Sequence, residues 1–88
     1  MTTAEKNIAL QEIIDVQKDI EFWEAKYAEA DKAGESTKHI DEIIEKRLAR
    51  RNGMLSLLNV LNVKIDRKDY RMVGLHGEME LHTVWFLP

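Results

Sequence analysis

The 88-residue chain carries 13 Lys and Arg against 16 Asp and Glu, a net charge of −3, with 44% apolar and 33% charged side chains. That balance belongs to a water-compatible globular domain rather than a disordered segment, and no apolar run approaches the roughly 20 residues a membrane span needs. With no cysteine, disulfides, thiol chemistry and Cys-based zinc sites are excluded; together with a start unlike a signal peptide, this leads us to expect a cytoplasmic protein.

The fold expected is one domain, 1–88, mainly α: an antiparallel two-helix hairpin of coiled-coil type with a short C-terminal β-hairpin or extended segment. At the start, Thr2-Thr3-Ala4-Glu5 has the form of a capping box, in which the Thr hydroxyl and the Glu carboxylate satisfy each other's backbone amides. Behind it, Ala9, Ile13, Val16, Ile20, Trp23, Tyr27 and Ala30 recur at alternating spacings of four and three. This is an a/d seam. A helix over about 3–32 would be roughly 45 Å long at 1.5 Å per residue. A compact chain of this size has a radius of gyration of only about 12 Å, so the molecule should be elongated. Charge is divided along the same lines, with eight acids against four bases in residues 1–32 and five bases against three acids in 38–51. The two segments therefore have reason to face each other.

Gly34 interrupts the pattern, and Ser36 or Thr37 can cap a second helix over 36–61, with Asp41 and Glu42 favourable in its first turn. Ile40, Ile44, Leu48, Leu55 and Leu58 share one face, and Arg51 interrupts that face. The run "EKRLARRNGMLSLL" admits two readings. Basic residues followed by Asn52-Gly53 can end a helix, but the apolar face keeps its phase across the glycine. We favour one helix through Gly53, bent there if at all. An antiparallel hairpin turning near Gly34 would set Ala30 against Ile40, Trp23 near Arg47, and Ile20 near Arg50 and Arg51. Beyond Gly53, Met54, Leu55, Leu57, Leu58, Val60 and Leu61 are apolar on nearly every side, more than one helix partner can cover.

In the remaining segment, 63–88, Met79, Leu81, Thr83 and Trp85 alternate with Glu78, Glu80 and His82. Such alternation is the mark of a half-buried strand. Tyr70 to Val73 can pair with it across a turn at Gly74 to Gly77. The alternation would put Met79, Leu81 and Trp85 against the helices and turn Val84 and Phe86 outward with His82.

Signs of chemistry are few. Lys46, Arg47, Arg50 and Arg51 span one side of the second helix and form a candidate nucleic-acid contact. Four cations opposite an acidic helix are a weak footprint, and we favour local pairing with Glu21, Glu24 and Gln17, with Arg47 stacked on Trp23. His76, Glu78, Glu80 and His82 alternate, but a metal site needs three or four convergent ligands and no clear fourth is near. We expect a solvated strand edge, no metal and no cofactor. His39 fits a helix surface, Ser36 and Ser56 stand in no nucleophile motif, and the four glycines form no phosphate loop. An enzyme is not expected. The function expected is a small protein–protein interaction module, an adaptor or an inhibitor of a larger complex, forming a homodimer and meeting a protein partner. Its candidate interface residues are Met54, Leu57, Leu61, Val84, Trp85 and Phe86. Small domains of this kind are frequent among accessory proteins of phages and mobile elements, a base rate rather than a property of these residues. The alternatives are an RNA- or DNA-binding regulator using the basic stretch, and a structural assembly subunit.

Overall fold

The structure, a computed structural model, describes residues 1–74, 77 and 79–88, with the side chain of Glu80 outside that description. Two helices, α1 (Thr3–Lys32) and α2 (Lys38–Val60), are followed by two strands, β1 (Asp66–Val73) and β2 (Met79–Phe86). The whole measures 47 × 29 × 16 Å with a radius of gyration of 15.3 Å. It is elongated, as the length of the first helix requires.

Local chemistry accounts for most of the helix ends. The Thr2 backbone N–H donates to the Glu5 carboxylate at 3.1 Å, and the Glu5 N–H donates to the Thr2 hydroxyl at 3.2 Å. The Thr2 backbone N–H, and after it the Thr2 hydroxyl beside the carboxylate, hold the Glu5 carboxyl below its ordinary range. At the other end of α1, Gly34 takes a left-handed φ of 73°. The Gly34 N–H then reaches the Asp31 carbonyl and the Glu35 N–H the Ala30 carbonyl, at 3.1 and 2.9 Å. This is a Schellman closure. Helix α2 begins after Thr37, but Thr37 itself has helix-like backbone angles and its side chain makes no cap bond. The expected cap position is therefore right and the expected capping bond is not made.

Helix α2 runs unbroken through Gly53, and a Cβ placed on that glycine would meet nothing within 4 Å. The glycine points away from the seam, so it does not disturb packing. The end of α2 carries a motif that the sequence pattern did not reveal. Asn62 adopts a φ of 59°, its N–H bonds to the Asn59 carbonyl at 3.1 Å, and the Val63 N–H bonds to the Leu58 carbonyl at 2.8 Å. Leu58 and Val63, which flank this second Schellman turn, are both buried. Their contact is the apolar partner such a turn commonly has. It ties the helix end into the core and aims the chain toward β1.

The helices pair antiparallel, with Gln17 bonded to Arg51 and Asp19 to Arg47. Ile13, Val16, Ile20 and Ala30 of the α1 seam are buried, whereas Tyr27 of the same seam is exposed. The main core lies at the end of the hairpin away from Gly34. It gathers Ile13, Leu58, Val63 and Trp85, and Leu10, Ile14, Met54 and Leu55 pack around them. Each of the four elements thus reaches this cluster directly or through an adjoining loop residue, β1 through Ile65 before it.

The strands pair antiparallel from Asp66 opposite Phe86 to Val73 opposite Met79. Strand β2 lies against α1, while β1 pairs with β2 and its backbone packs on neither helix. Between the strands the Gly77 N–H donates to the Gly74 carbonyl at 3.0 Å. Odd-numbered residues of β2 face the helices, and Trp85 is the one fully buried among the described strand residues. Met79 and Leu81, expected to pack on the helices beside it, are 65% and 63% exposed. The reason lies in α1: opposite Leu81 it offers Glu21, Glu24 and Ala25, two carboxylates and a methyl group rather than an apolar stripe.

Candidate interaction surface

At the junction of three elements sits a buried amide. Gln17, 7% exposed, accepts with Oε1 from Arg51 Nη1 at 2.9 Å and from Trp85 Nε1 at 3.1 Å. One oxygen therefore joins α1, α2 and β2. The Arg51 guanidinium lies 5.4 Å from the centre of the Trp85 ring and that of Arg67 lies 5.7 Å from it. Burial, and then the neighbouring Arg67 charge, push the Arg51 pKa down, and Glu24 opposes the shift. The cost of half-burying this charge is offset by the amide oxygen and the ring face. Among the described residues no buried side-chain nitrogen or oxygen lacks a partner.

The four basic residues of α2 have different fates. Arg47 Nε pairs with Asp19 at 2.5 Å, not with Glu21 or Glu24, and the expected Arg47–Trp23 stacking is replaced by an edge contact of Trp23 with Phe22, centroids 5.3 Å apart. Position decides this: Asp19 stands on the flank of α1 that meets α2, whereas Glu21 stands on the flank that meets β2. Arg51 is bound to Gln17, as expected. Arg50 shares with Arg47 an open cleft whose other wall is Glu12, Asp15, Val16 and Asp19. Lys46 is exposed on the helix surface. Two of the four cations are thus engaged within the chain, and a third faces three carboxylates.

The candidate interface residues also divide. Leu57 and Leu61 are exposed, at 61% and 51%, while Met54 is half-buried against the core. Val84 and Phe86 are exposed on the face of the sheet turned away from the helices. Trp85 is a core residue within the single chain, 7% exposed, because strand alternation turns it inward between its two outward neighbours. Among the described residues, 14 large apolar side chains are exposed, and seven of them belong to the two strands. Tyr70, Met72, Val84 and Phe86 share the outer face of the sheet by register. Tyr70 and Met72 join the surface without having been singled out by sequence, since β1 shows no clean alternation. Gln17 was expected only as a partner of the basic stretch; its burial and its bond from Trp85 were not. The signal for it is a second stripe of Leu10, Ile14 and Gln17 beside the seam, which marks a helix covered on two sides.

Other chemistry offers less. The cleft between α1 and β2, about 450 Å³ and open to solvent, is lined by Gln17, Glu21, Glu24, Ala25, Leu81, His82 and Thr83. Within it the Thr83 hydroxyl is committed as donor to Asp69 Oδ1 at 3.0 Å. Among the described residues no group of three His, Cys, Asp or Glu side chains is placed to hold a metal; His76 and Glu78, and the Glu80 side chain, lie outside them. Among the described residues no helix is long and apolar enough to cross a membrane. No protein-family profile matches the sequence, and comparison with curated proteins and with solved structures finds no match.

Proposed function

We propose that this chain is a non-enzymatic protein–protein interaction module whose working surface is the outer face of the C-terminal hairpin. An adaptor or an inhibitor of a larger complex would use such a surface. The observation that carries this reading is the concentration of exposed Tyr70, Met72, Val84 and Phe86 on one side of a two-stranded sheet. These side chains are 38–54% exposed among the described residues, and clustered apolar and aromatic side chains on a rigid element suit a protein contact. A second apolar cluster, Leu57, Val60 and Leu61 at the end of α2, adds to it. Self-association belongs to the same reading, because a two-stranded hairpin is marginal alone and gains from further cover.

The test is capture from a nuclease-treated native lysate on immobilised protein, comparing the wild type with Val84→Ser and Phe86→Ala. The expected result is a retained protein that both substitutions release, with helix content by circular dichroism unchanged. Retention that disappears with nuclease, or that collapses between low and moderate salt, would overturn the reading in favour of nucleic-acid binding by Lys46 and Arg50. Unfolding of Phe86→Ala would show instead that this ring belongs to the core, and Val84→Ser, at a more exposed position, then decides.

A further inference from the structure

We propose that a second copy of this chain pairs with the first along the free edge of β1, antiparallel, about a twofold axis through Tyr70. The inference deepens the interaction-module reading by naming one occupant and its register. Among the described residues strand β1 pairs with one neighbour, β2, and its backbone packs on neither helix, so its other edge presents a row of backbone amides and carbonyls without a strand partner. A flat free edge is a template for another strand.

The side chains of β1 decide which strand fits. A twofold axis perpendicular to a sheet keeps every side chain on its own face, so it must pass through a residue and its copy. Four centres, Lys68 to Arg71, engage at least five residues of the eight-residue strand DRKDYRMV. Centring on Lys68, Asp69 or Arg71 sets that charge directly against its own copy, and centring on Asp69 also opposes Arg67 to Arg71. Like charges directly opposite are destabilising. Centring on Tyr70 opposes no like charges. It sets Asp69 against Arg71 of the copy twice over, Lys68 against Met72, and the Tyr70 rings against each other.

The geometry of the single chain leaves these groups ready. The Asp69 carboxylate is held at the sheet by the Thr83 hydroxyl at 3.0 Å and lies 3.8 Å from Arg67 Nε. Arg71 is exposed and has no ion-pair partner among the described residues. Tyr70 is 44% exposed, with Lys68 Nζ 5.3 Å from its ring centre. Pairing at this register makes one four-stranded sheet whose outer face runs continuously through Val84, Tyr70 and Met72 of both copies. The surface proposed for a partner is then doubled rather than consumed.

The experiment is a charge exchange read by size-exclusion chromatography with light scattering. Wild type should give twice 10.3 kDa at micromolar concentration. Asp69→Arg alone sets Arg against Arg71 of the copy, and Arg71→Asp alone sets Asp against Asp69, so each should run as a folded monomer. An equimolar mixture of the two should regain the dimer mass, because every opposed pair across that hetero-pair is again of opposite sign. The doubly exchanged chain should also dimerise. A monomeric wild type, or a dimer indifferent to both single exchanges, overturns the proposal, and so does a mixture that stays monomeric. Restoration by mixing cannot come from a folding defect. A monomeric wild type that still captures a lysate protein would sink this pairing and leave the interaction-module reading standing; a dimer that captures nothing would do the reverse.

Discussion

Replacing Gln17 with leucine tests the junction on which the tertiary arrangement rests. The amide is buried and its one oxygen serves the Trp85 indole and the Arg51 guanidinium. Leucine has similar bulk and fills the space, so no large cavity opens. What remains is an indole N–H on a side chain that is only 7% exposed, with no acceptor and little access to water. A buried donor left in that state costs about 1–3 kcal/mol. Arg51 loses less, because Asn52 Oδ1 lies 3.2 Å from its Nη2 and the guanidinium is half-exposed. We expect a net loss of about 2 kcal/mol, which for a domain of this size lowers the melting temperature by about 8–16 °C. The cycle is completed with Trp85→Phe, which removes the indole donor and keeps an aromatic ring. In that background Gln17→Leu should cost at least about 1 kcal/mol less, a coupling well above the ~0.3–0.5 kcal/mol scatter of independent sites. Thermal and urea melts at fixed protein concentration measure all four chains. Additive effects, or a Gln17→Leu chain as stable as wild type, would refute the claim that this hydrogen bond holds β2 to the helices.

Arg51→Leu should keep or raise the melting temperature. Leucine continues the α2 seam, the charge it removes is disfavoured by burial and by Arg67, and Gln17 still has Trp85 as donor; an unfolded variant would show that the guanidinium is indispensable to the junction. At the end of α2, Asn62→Ala forces an alanine into a left-handed conformation at a cost of about 1 kcal/mol, while Asn62→Gly should match or exceed wild type; equal melting of all three would mean that the turn does not depend on that residue. The capping box makes a pH-dependent contribution. Because the folded Glu5 pKa lies below its ordinary 4.5, the ionised form stabilises the fold above that value, and the contribution is lost as pH falls through the folded pKa. The melting advantage of wild type over Glu5→Gln should therefore be present at neutral pH and shrink as pH falls through the carboxylate range, and an advantage independent of pH would contradict it.

The sequence by itself determined the local structure. Thr2 and Glu5, the four–three spacing from Ala9 to Ala30, Gly34, and the alternation around Trp85 each act within a few residues, through hydrogen bonds and periodicity that do not depend on what lies across the fold. The continuity of α2 through Gly53 was legible for the same reason, since the phase of the apolar face carries across it. Asn62 escaped notice because a left-handed asparagine is as compatible with a loop as with a helix cap, and only the Leu58–Val63 contact selects the cap. Beyond the capping box and the expected Arg51–Gln17 pair, tertiary structure alone decided which partner each polar group takes. Arg47 finds Asp19 rather than Glu21, and Gln17 becomes an anchor, because β2 packs on one flank of α1 while α2 packs on the other; no spacing in a single helix encodes the position of a strand some 68 residues away. The candidate surface depended on the same fact. Alternation placed Val84, Trp85 and Phe86 on opposite faces of a strand, but which face is covered depends on where α1 has apolar groups to offer. At Ile13 and Ile14 it does, and Trp85 is buried; at Glu21 and Glu24 it does not, and Leu81 is left in water.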